Sequence, residues 1–294
     1  MGSFLSQRGS KKLYSVPRHE KPGFHSPIGK PIYVTTPADA ISSVMDMTPK
    51  HRWADLVLIC NGIFSDIVRQ HLSLNEKDDN YEIQQDRIID DMTLVVPHFG
   101  ILTIGGDPVG GQSSHPPTAI YGKHADALMQ LIKPLNTIKV QTLKQIQIIA
   151  ARKLLWACAM WLLTLDYPQQ QQLQQLQDWY DDDSHQQQKM QMTVQMVHET
   201  KTNQLITLIE ELIPAVNILA GESIGSLHDV LQYLESYSLS MPSAKPSIHL
   251  ALAEINQRNG RLISVKTVRQ PFHSKLIERV SGKKLHQLFL ENVQ

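Results

Sequence analysis

The order of its periodic segments constrains the fold of this chain more than any other feature. Between residues 31 and 140, short apolar stretches typical of strands alternate with stretches of helical period. From residue 142 onward only helical periods follow. Alternating strands and helices are typical of an α/β layer on a parallel sheet, whereas a run of helices forms a helical layer of its own. The sequence therefore predicts an α/β domain at 1–141 followed by an all-α domain at 142–294.

The first half is predicted to alternate strands with helices. Strands are predicted at 13–16, 31–35, 55–60, within 92–104 and, of edge type, at 118–121 and 137–140. Helices are predicted at 36–47, from 63 through 72 and at 123–132, and 105–117 is predicted as a loop. Segment 55–60 is continuously apolar after its first residue, as expected for a central parallel strand that is buried on both faces.

The second half is predicted to hold helices and one segment of low complexity. Its longest helix, 142–165, is strongly apolar, and later helices are predicted at 202–219, 226–237, 246–257 and 273–292. Residues from about 168 to 195 are rich in glutamine. Their apolar content is too small to repay the entropy of ordering, so this segment is predicted to be a flexible insertion. A weak helix around Leu173 and Leu176 is the alternative.

Composition and charge exclude several classes of function. Lysine plus arginine and aspartate plus glutamate number 28 each, so no global charge favours nucleic acid or an anionic membrane. No continuous apolar run reaches the roughly 18 residues of a membrane span, and the start lacks the apolar core of a secretory signal. Cys60 and Cys158 cannot supply a disulfide framework, and the 13 histidines show no metal-binding spacing. We expect a cytoplasmic protein without a metal.

Three segments in order resemble one known family. Residues 55–62 read DLVLICNG, 151–164 read ARKLLWACAMWLLT, and 246–260 read PSIHLALAEINQRNG. They resemble three elements of the ketopantoate reductase (ApbA/PanE) family: the strand that faces nicotinamide and substrate, the helix that presents a catalytic lysine, and a serine-initiated helix. The helical half is similar to the C-terminal domain of 6-phosphogluconate dehydrogenase. The resemblance covers roughly residues 31–260 and implies a Rossmann-type domain followed by a helical substrate domain.

The resemblance implies an NADP-dependent reductase of a small 2-keto acid or a related carbonyl compound. A homodimer is compatible with it. Such a reduction needs a hydride at the carbonyl carbon and a proton for the developing alkoxide. By the resemblance, Lys153 is the general acid and Glu254 holds the lysine or the substrate hydroxyl. Ser247 would bind a substrate carboxylate, and Asn61 the substrate or the nicotinamide amide. From the residues alone, Lys153 could instead be a lysine that snorkels from a helix flank.

The start of the chain departs from the family pattern. A dinucleotide-binding domain begins with a strand, G-x-G-x-x-G and a helix. The opening MGSFLSQRG resembles the family's first helix entered at its third glycine, Gly2. We therefore expect a Rossmann-type domain without its first strand, and weak or absent NADP binding. Arg18, with Lys21 second, is the candidate for the 2′-phosphate of NADP, and a solvated basic loop is the alternative interpretation. The same opening fits the N-myristoylation pattern at Gly2, as a minor alternative.

A second departure lies on the lysine helix. The family has asparagines four and eight residues after the lysine, where this chain has Ala157 and Trp161. Ketopantoate itself is therefore not the expected substrate. The departures leave an alternative, a non-catalytic descendant that serves as a ligand-binding or dimerisation scaffold. The joint retention of Lys153, Glu254 and Asn61 favours the enzyme.

Overall fold

The computed structural model describes residues 5, 20–24, 26–59, 61–75, 87–101, 108–111, 116–166, 192–246 and 255–282. The chain forms two compact units, Met1–Leu154 with Leu219–Ile224, and Leu155–Ile218 with Gly225–Gln294. The change from one unit to the other falls inside a long helix. The domain limits at 141 and 142 stay a prediction.

The first unit is built on a parallel-dominated sheet. Its described strands are β1 (Ile32–Val34), β2 (Leu56–Ile59), β3 (Thr93–Val96), β4 (Phe99–Ile101), β5 (Pro108–Gly110), β6 (Thr118–Tyr121) and β7 (Thr137–Lys139). Five of them form a sheet in the order β1–β2–β3–β6–β7, and β4 pairs with β5 separately. Neighbours in the sheet are parallel except for β3 and β6, which are antiparallel. The predicted α/β class is confirmed.

Strand β2 lies in the interior because both of its faces are apolar. Leu56 and Leu58 belong to one cluster of buried side chains, and Val57 and Ile59 belong to another. Successive side chains of a strand point to opposite faces, so this alternation buries the sheet on both sides. The continuous apolar run of 55–60 correctly predicted such a strand.

Two sequence predictions in this unit are wrong. Segment 118–121 was expected at an edge, yet β6 lies between β3 and β7, and its first three residues are buried. Edge or interior position is set by tertiary pairing, which four residues of sequence do not reveal. Segment 105–117 was expected to be a loop, yet it contains β5. Pro108 is compatible with that strand because β5 pairs with β4 on one side only. A proline nitrogen cannot donate a hydrogen bond, and at an edge strand it does not need to.

Helices surround the sheet and make up the second half. In the first unit they include α1 (Ile41–Met47), α2 (Phe64–Asn75) and α3 (Ala125–Leu131), and α4 (Leu143–Leu165) continues into the second unit. The remaining described helices are α5 (Val194–Thr200), α6 (Thr202–Ala220), α7 (Leu227–Leu239), α8 (Asn259–Ile263) and α9 (Pro271–Ser281). The all-α class of the second half is confirmed. Of the predicted helix at 246–257, the structure describes residue 246 and the short 3-10 turn Ile255–Gln257.

Helix α5 was not predicted, because the glutamine-rich composition was extended to residue 195. Thr193 caps this helix, and its side chain accepts a hydrogen bond from the backbone N–H of Met196. Helix α7 begins with a reciprocal capping box between Ser226 and Asp229. Most of the insertion predicted from 168 to 195 lies outside the described residues.

Helix α4 is long and strongly apolar. By length and composition it could cross a membrane, but 72% of its most apolar window is buried inside the protein. Its side chains are therefore used for packing, as in the core helix of a globular protein.

Candidate functional site

The candidate site lies at the carboxyl edge of the sheet. Strands β2 and β3 are parallel neighbours, with Ile59 paired to Val95. Asn61 follows β2 after one residue, and Pro97 follows β3 directly. Both segments therefore leave the sheet at the same edge. In open α/β sheets, ligands bind outside the carboxyl ends of the strands, so this is the edge at which a site is expected.

Helix α4 brings a lysine to this edge. Lys153 is 7% exposed, and its Nζ donates a hydrogen bond of 2.7 Å to Oδ1 of Asn61, 92 residues earlier in the chain. The same Nζ donates to the backbone carbonyl of Pro97. The structure thus brings together two of the predicted site residues, Lys153 and Asn61. Their chemical roles stay predictions.

The burial of Lys153 is energetically costly. Moving an ammonium out of water costs several kcal/mol unless hydrogen bonds compensate. The neighbouring residues on α4, Leu154 and Leu155, are almost completely buried, so the lysine is embedded in an apolar helix. Two of its hydrogen bonds go to the neutral amide oxygens of Asn61 and Pro97. A buried ammonium at the carboxyl edge of a parallel sheet is a group that can bind an anion or donate a proton.

His98 stands next to the lysine and was not singled out from the sequence. Its backbone N–H donates to Oγ1 of Thr118 at 3.0 Å, and the residue is 1% exposed. Burial, reinforced by the positive charge of Lys153, lowers the pKa of His98 from 6.5 to about 3. The imidazole is therefore neutral near pH 7. His98 could have been found from its position, because it follows β3 closely, as Asn61 follows β2.

Two further residues give this edge its shape. Gly62 has a φ of +134°, and a Cβ there would lie 3.3 Å from Cδ1 of Ile67. A side chain at residue 62 would therefore be strained and would crowd the start of α2. Thr36 lies two residues beyond β1, and within the described part of the chain its buried Oγ1 has no hydrogen-bond partner. A buried hydroxyl of this kind can serve a polar ligand at the same edge.

The opposite edge of the sheet holds a buried carboxylate. Asp55, directly before β2, accepts hydrogen bonds from Nε of Arg52 at 2.7 Å, the backbone N–H of Gly29 at 2.9 Å and Nζ of Lys123 at 3.2 Å. Burial raises the pKa of Asp55, but these three donors outweigh it and lower the pKa below 3.8. Nε2 of His124 lies 3.5 Å from the same carboxylate. This cluster is a compensated ion-pair network.

Arg52 shows that this network is structural. Its Nη1 donates to the carbonyls of Gly23 and Ser26, each at 2.9 Å. Its Nη2 donates to Oγ of Ser26 at 3.0 Å and to the carbonyl of Pro27 at 3.2 Å. The guanidinium therefore uses its donors on the protein itself, and it ties the loop before β1 to the sheet.

The remaining predicted site residues fall outside the part of the chain that the structure describes. They are Gly2, Arg18, Ser247 and Glu254. The expected approach of Glu254 to Lys153 and the expected role of Arg18 stay predictions. Lys21, the second candidate for the 2′-phosphate, is described and exposed.

Comparison with solved structures finds enzymes at low sequence identity. D-mandelate dehydrogenase, solved with NADH and anilino(oxo)acetate, has a TM-score of 0.55 at 15% identity over 98% of this chain and 90% of that chain. A PanE/ApbA family ketopantoate reductase from Ralstonia eutropha JMP134 has a TM-score of 0.51 at 12% identity, over 86% of this chain and 76% of that chain. A ketopantoate reductase from Staphylococcus aureus, described as dimeric, has a TM-score of 0.50 at 11% identity, over 87% of this chain and 78% of that chain.

No protein-family model and no curated protein sequence matches the chain. At identities of 11–15%, the solved structures establish the fold. The chain therefore has the fold shared by the ketopantoate reductases and D-mandelate dehydrogenase.

Proposed function

We propose that this chain is a nicotinamide-dependent reductase that converts a small 2-keto acid, or a related carbonyl compound, to the corresponding hydroxy acid. The observation that carries the proposal is the buried amine of Lys153, which lies at the carboxyl edge of β2 and β3 and is hydrogen-bonded to Asn61. The neighbours in fold are oxidoreductases, and one was solved with NADH.

Lys153 is assigned the proton transfer. When bound, the reduced nicotinamide supplies the hydride to the carbonyl carbon. The carbonyl oxygen takes up the electron pair and receives a proton from the Lys153 ammonium, which is left as a neutral amine to be reprotonated from solvent. In a buried site the positive charge also stabilises the developing alkoxide more strongly than it would in water.

Asn61 is assigned the orientation of substrate or cofactor. Its Oδ1 accepts from Lys153, so its side-chain N–H groups remain as the donors for a substrate carboxylate or the nicotinamide amide. Ser247 is proposed to bind the substrate carboxylate, and Glu254 to hold the lysine or the substrate hydroxyl. These assignments follow from the resemblance in sequence.

The carboxyl edge fits a nicotinamide cofactor. The buried hydroxyl of Thr36 is available there, and Gly62 adds no side chain beside it. NADP is proposed over NAD because Arg18, with Lys21, could bind a 2′-phosphate, and Gly2 would be a glycine of the phosphate turn. The mandelate dehydrogenase neighbour was solved with NADH, so both cofactors belong in the test.

The substrate class and the oligomeric state are proposed from the same neighbours. The anilino(oxo)acetate bound by one of them carries an oxo group beside a carboxylate, as a 2-keto acid does. Another is described as dimeric, and we propose a homodimer here as well.

The test is oxidation of NADPH, and separately of NADH, with straight-chain, branched and aromatic 2-keto acids. We expect turnover by the parent protein and a loss of about two to four orders of magnitude in Lys153→Met, the usual range for a lost general acid. Lys139→Met is the matched control, because Lys139 is exposed and pairs with Asp126. A parent that oxidises neither cofactor with any 2-keto acid, even at cofactor concentrations raised to offset the weak binding expected from the sequence, would refute the proposal, as would a fully active Lys153→Met.

A further inference from the structure

The peptide group that joins Pro97 to His98 is held at both ends. Its N–H donates to Oγ1 of Thr118 at 3.0 Å, and its carbonyl accepts from Nζ of Lys153. This peptide is trans, and a trans peptide is planar, with its N–H and C=O pointing in opposite directions. The partner of the N–H therefore also sets the direction of the carbonyl.

Thr118 is built into the sheet at the place where this hydrogen bond is made. It is the first residue of β6, it is 0% exposed, and its neighbour Ala119 pairs with Val96 at the end of β3. A buried N–H without a partner is costly, and the hydroxyl supplies the partner. Donation by the N–H also polarises the peptide and makes its carbonyl a stronger acceptor.

We infer that Thr118 is a positioning residue for Lys153. Its hydroxyl orients and polarises the 97–98 peptide, whose carbonyl holds the lysine amine beside Asn61. Thr118 acts through this peptide, so no contact with substrate or cofactor is needed. The inference rests on the proposed function for its importance to catalysis, whereas the effect on the lysine amine is independent of any activity.

The opposite end of the same strand pair offers a matched control. Thr93 is the first residue of β3, is 0% exposed, and accepts a hydrogen bond of 2.9 Å at Oγ1 from the backbone N–H of His124. The residue type, burial and bond are those of Thr118, but Thr93 lies at the amino end of β3, away from the carboxyl edge. Thr93→Val and Thr118→Val thus remove equivalent bonds at opposite edges.

The first measurement is the rate at which the Lys153 amine is acylated, followed by peptide mass spectrometry. In Thr118→Val we expect the rate to rise about tenfold, the factor that corresponds to one weakened buried hydrogen bond. Thr118→Ser, which keeps the hydroxyl, and Thr93→Val should stay within about twofold of the parent. An unchanged rate in Thr118→Val, or an equal rise in Thr93→Val, would overturn the inference.

Amide hydrogen exchange shows whether each substitution broke its intended bond. Exchange at His98 should accelerate in Thr118→Val, and exchange at His124 in Thr93→Val. A His98 amide that exchanges equally fast in the parent and in Thr118→Val would also overturn the inference. If Thr118→Val does not fold, Thr118→Ala carries the same expectations.

Turnover separates this inference from the proposed function. In an active enzyme, Thr118→Val should lower kcat about tenfold and leave the affinity for NADPH unchanged, and Thr118→Ser should restore kcat. A parent without reductase activity whose lysine labelling follows the expected pattern would refute the function and support the positioning role. An active parent whose lysine labelling is unchanged in Thr118→Val would support the proposed function and refute the positioning role.

Discussion

Each of the two edges of the sheet holds a buried charged side chain, and the described partners of the two charges differ. At the amino edge, Asp55 is 2% exposed and meets the guanidinium of Arg52 at 2.7 Å. At the carboxyl edge, Lys153 is 7% exposed and donates to the neutral oxygens of Asn61 and Pro97. The carboxylate is thus paired with a guanidinium, and two hydrogen bonds of the ammonium go to neutral oxygens.

The difference separates a structural role from a chemical one. A buried charge that is paired and hydrogen-bonded supports the fold, and removing either partner leaves the other uncompensated. An ammonium at the carboxyl edge of a parallel sheet places a positive charge where a ligand or a developing alkoxide can use it. The comparison therefore predicts that the amino edge controls stability and the carboxyl edge controls catalysis.

The largest difference in stability is expected between Asp55→Ala and Lys153→Met. Loss of Asp55 leaves Arg52 buried without its carboxylate, which should lower the free energy of unfolding by about 3–5 kcal/mol. Lys153→Met replaces a buried charge with an apolar side chain of similar length, so its cost should be no more than about 1–2 kcal/mol. Urea unfolding of both variants measures these free energies. Equal losses in the two variants would contradict the distinction between a structural and a chemical edge.

A second prediction concerns the pH dependence that His98 brings to the carboxyl edge. Its pKa is about 3 in the folded protein, against 6.5 for an unperturbed histidine. Between these values the unfolded chain binds the proton and the folded chain does not. Stability should therefore fall as the pH drops from 6.5 towards 3, by up to about 1.4 kcal/mol per pH unit.

His273 provides an internal reference for this measurement. Burial lowers its pKa from 6.5 to about 3 as well, so it adds the same slope from the second unit. His98→Gln should therefore halve the part of the slope that these two histidines contribute, measured by urea unfolding at pH 7, 6 and 5. A slope identical to that of the parent would show that His98 is not held neutral.

Asp55 responds to pH in a different window. Its pKa is lowered from 3.8 in the folded protein, so its contribution is complete above about pH 4 and disappears as the pH falls through the folded value. The contribution of Asp55 is thus separable from that of His98 by acid titration, because the effect of His98 begins near pH 6.5.

The smallest effect is expected for Lys123→Met. Lys123 reaches Asp55 at 3.2 Å, but its side chain is 50% exposed, so water screens the pair. The free energy of unfolding should fall by no more than about 1 kcal/mol, and by less at high salt. A loss as large as that of Asp55→Ala would mean that Lys123, and not Arg52, is the main partner of the carboxylate.

Sequence patterns predicted the elements whose signal is local. Strand β2 follows from its continuous apolar run, and α2 from the helical spacing of Ile67, Val68 and Leu72. Asn61 was assigned from the family resemblance, because an Asn-Gly pair after a strand is by itself most often a turn. The role of Lys153 came from the family resemblance, since a lysine inside an apolar helix has no local signature of its own.

The missed features depend on tertiary pairing. The acceptor at Pro97 is a backbone carbonyl, which any residue type supplies, so no side chain marks it. Thr118 was predicted to start an edge strand, and its contact with His98 arises only because β6 inserts beside β3. Neither property can be inferred from the composition of a short segment.

The central claim is that Lys153 donates the proton that accompanies hydride transfer. Single-turnover oxidation of bound NADPH by a 2-keto acid that the parent reduces tests it directly, with the Kd for NADPH measured on the same preparations. The account predicts that Lys153→Met slows this step by about two to four orders of magnitude and leaves the Kd within about threefold. Equal single-turnover rates in the variant and the parent would contradict the claim.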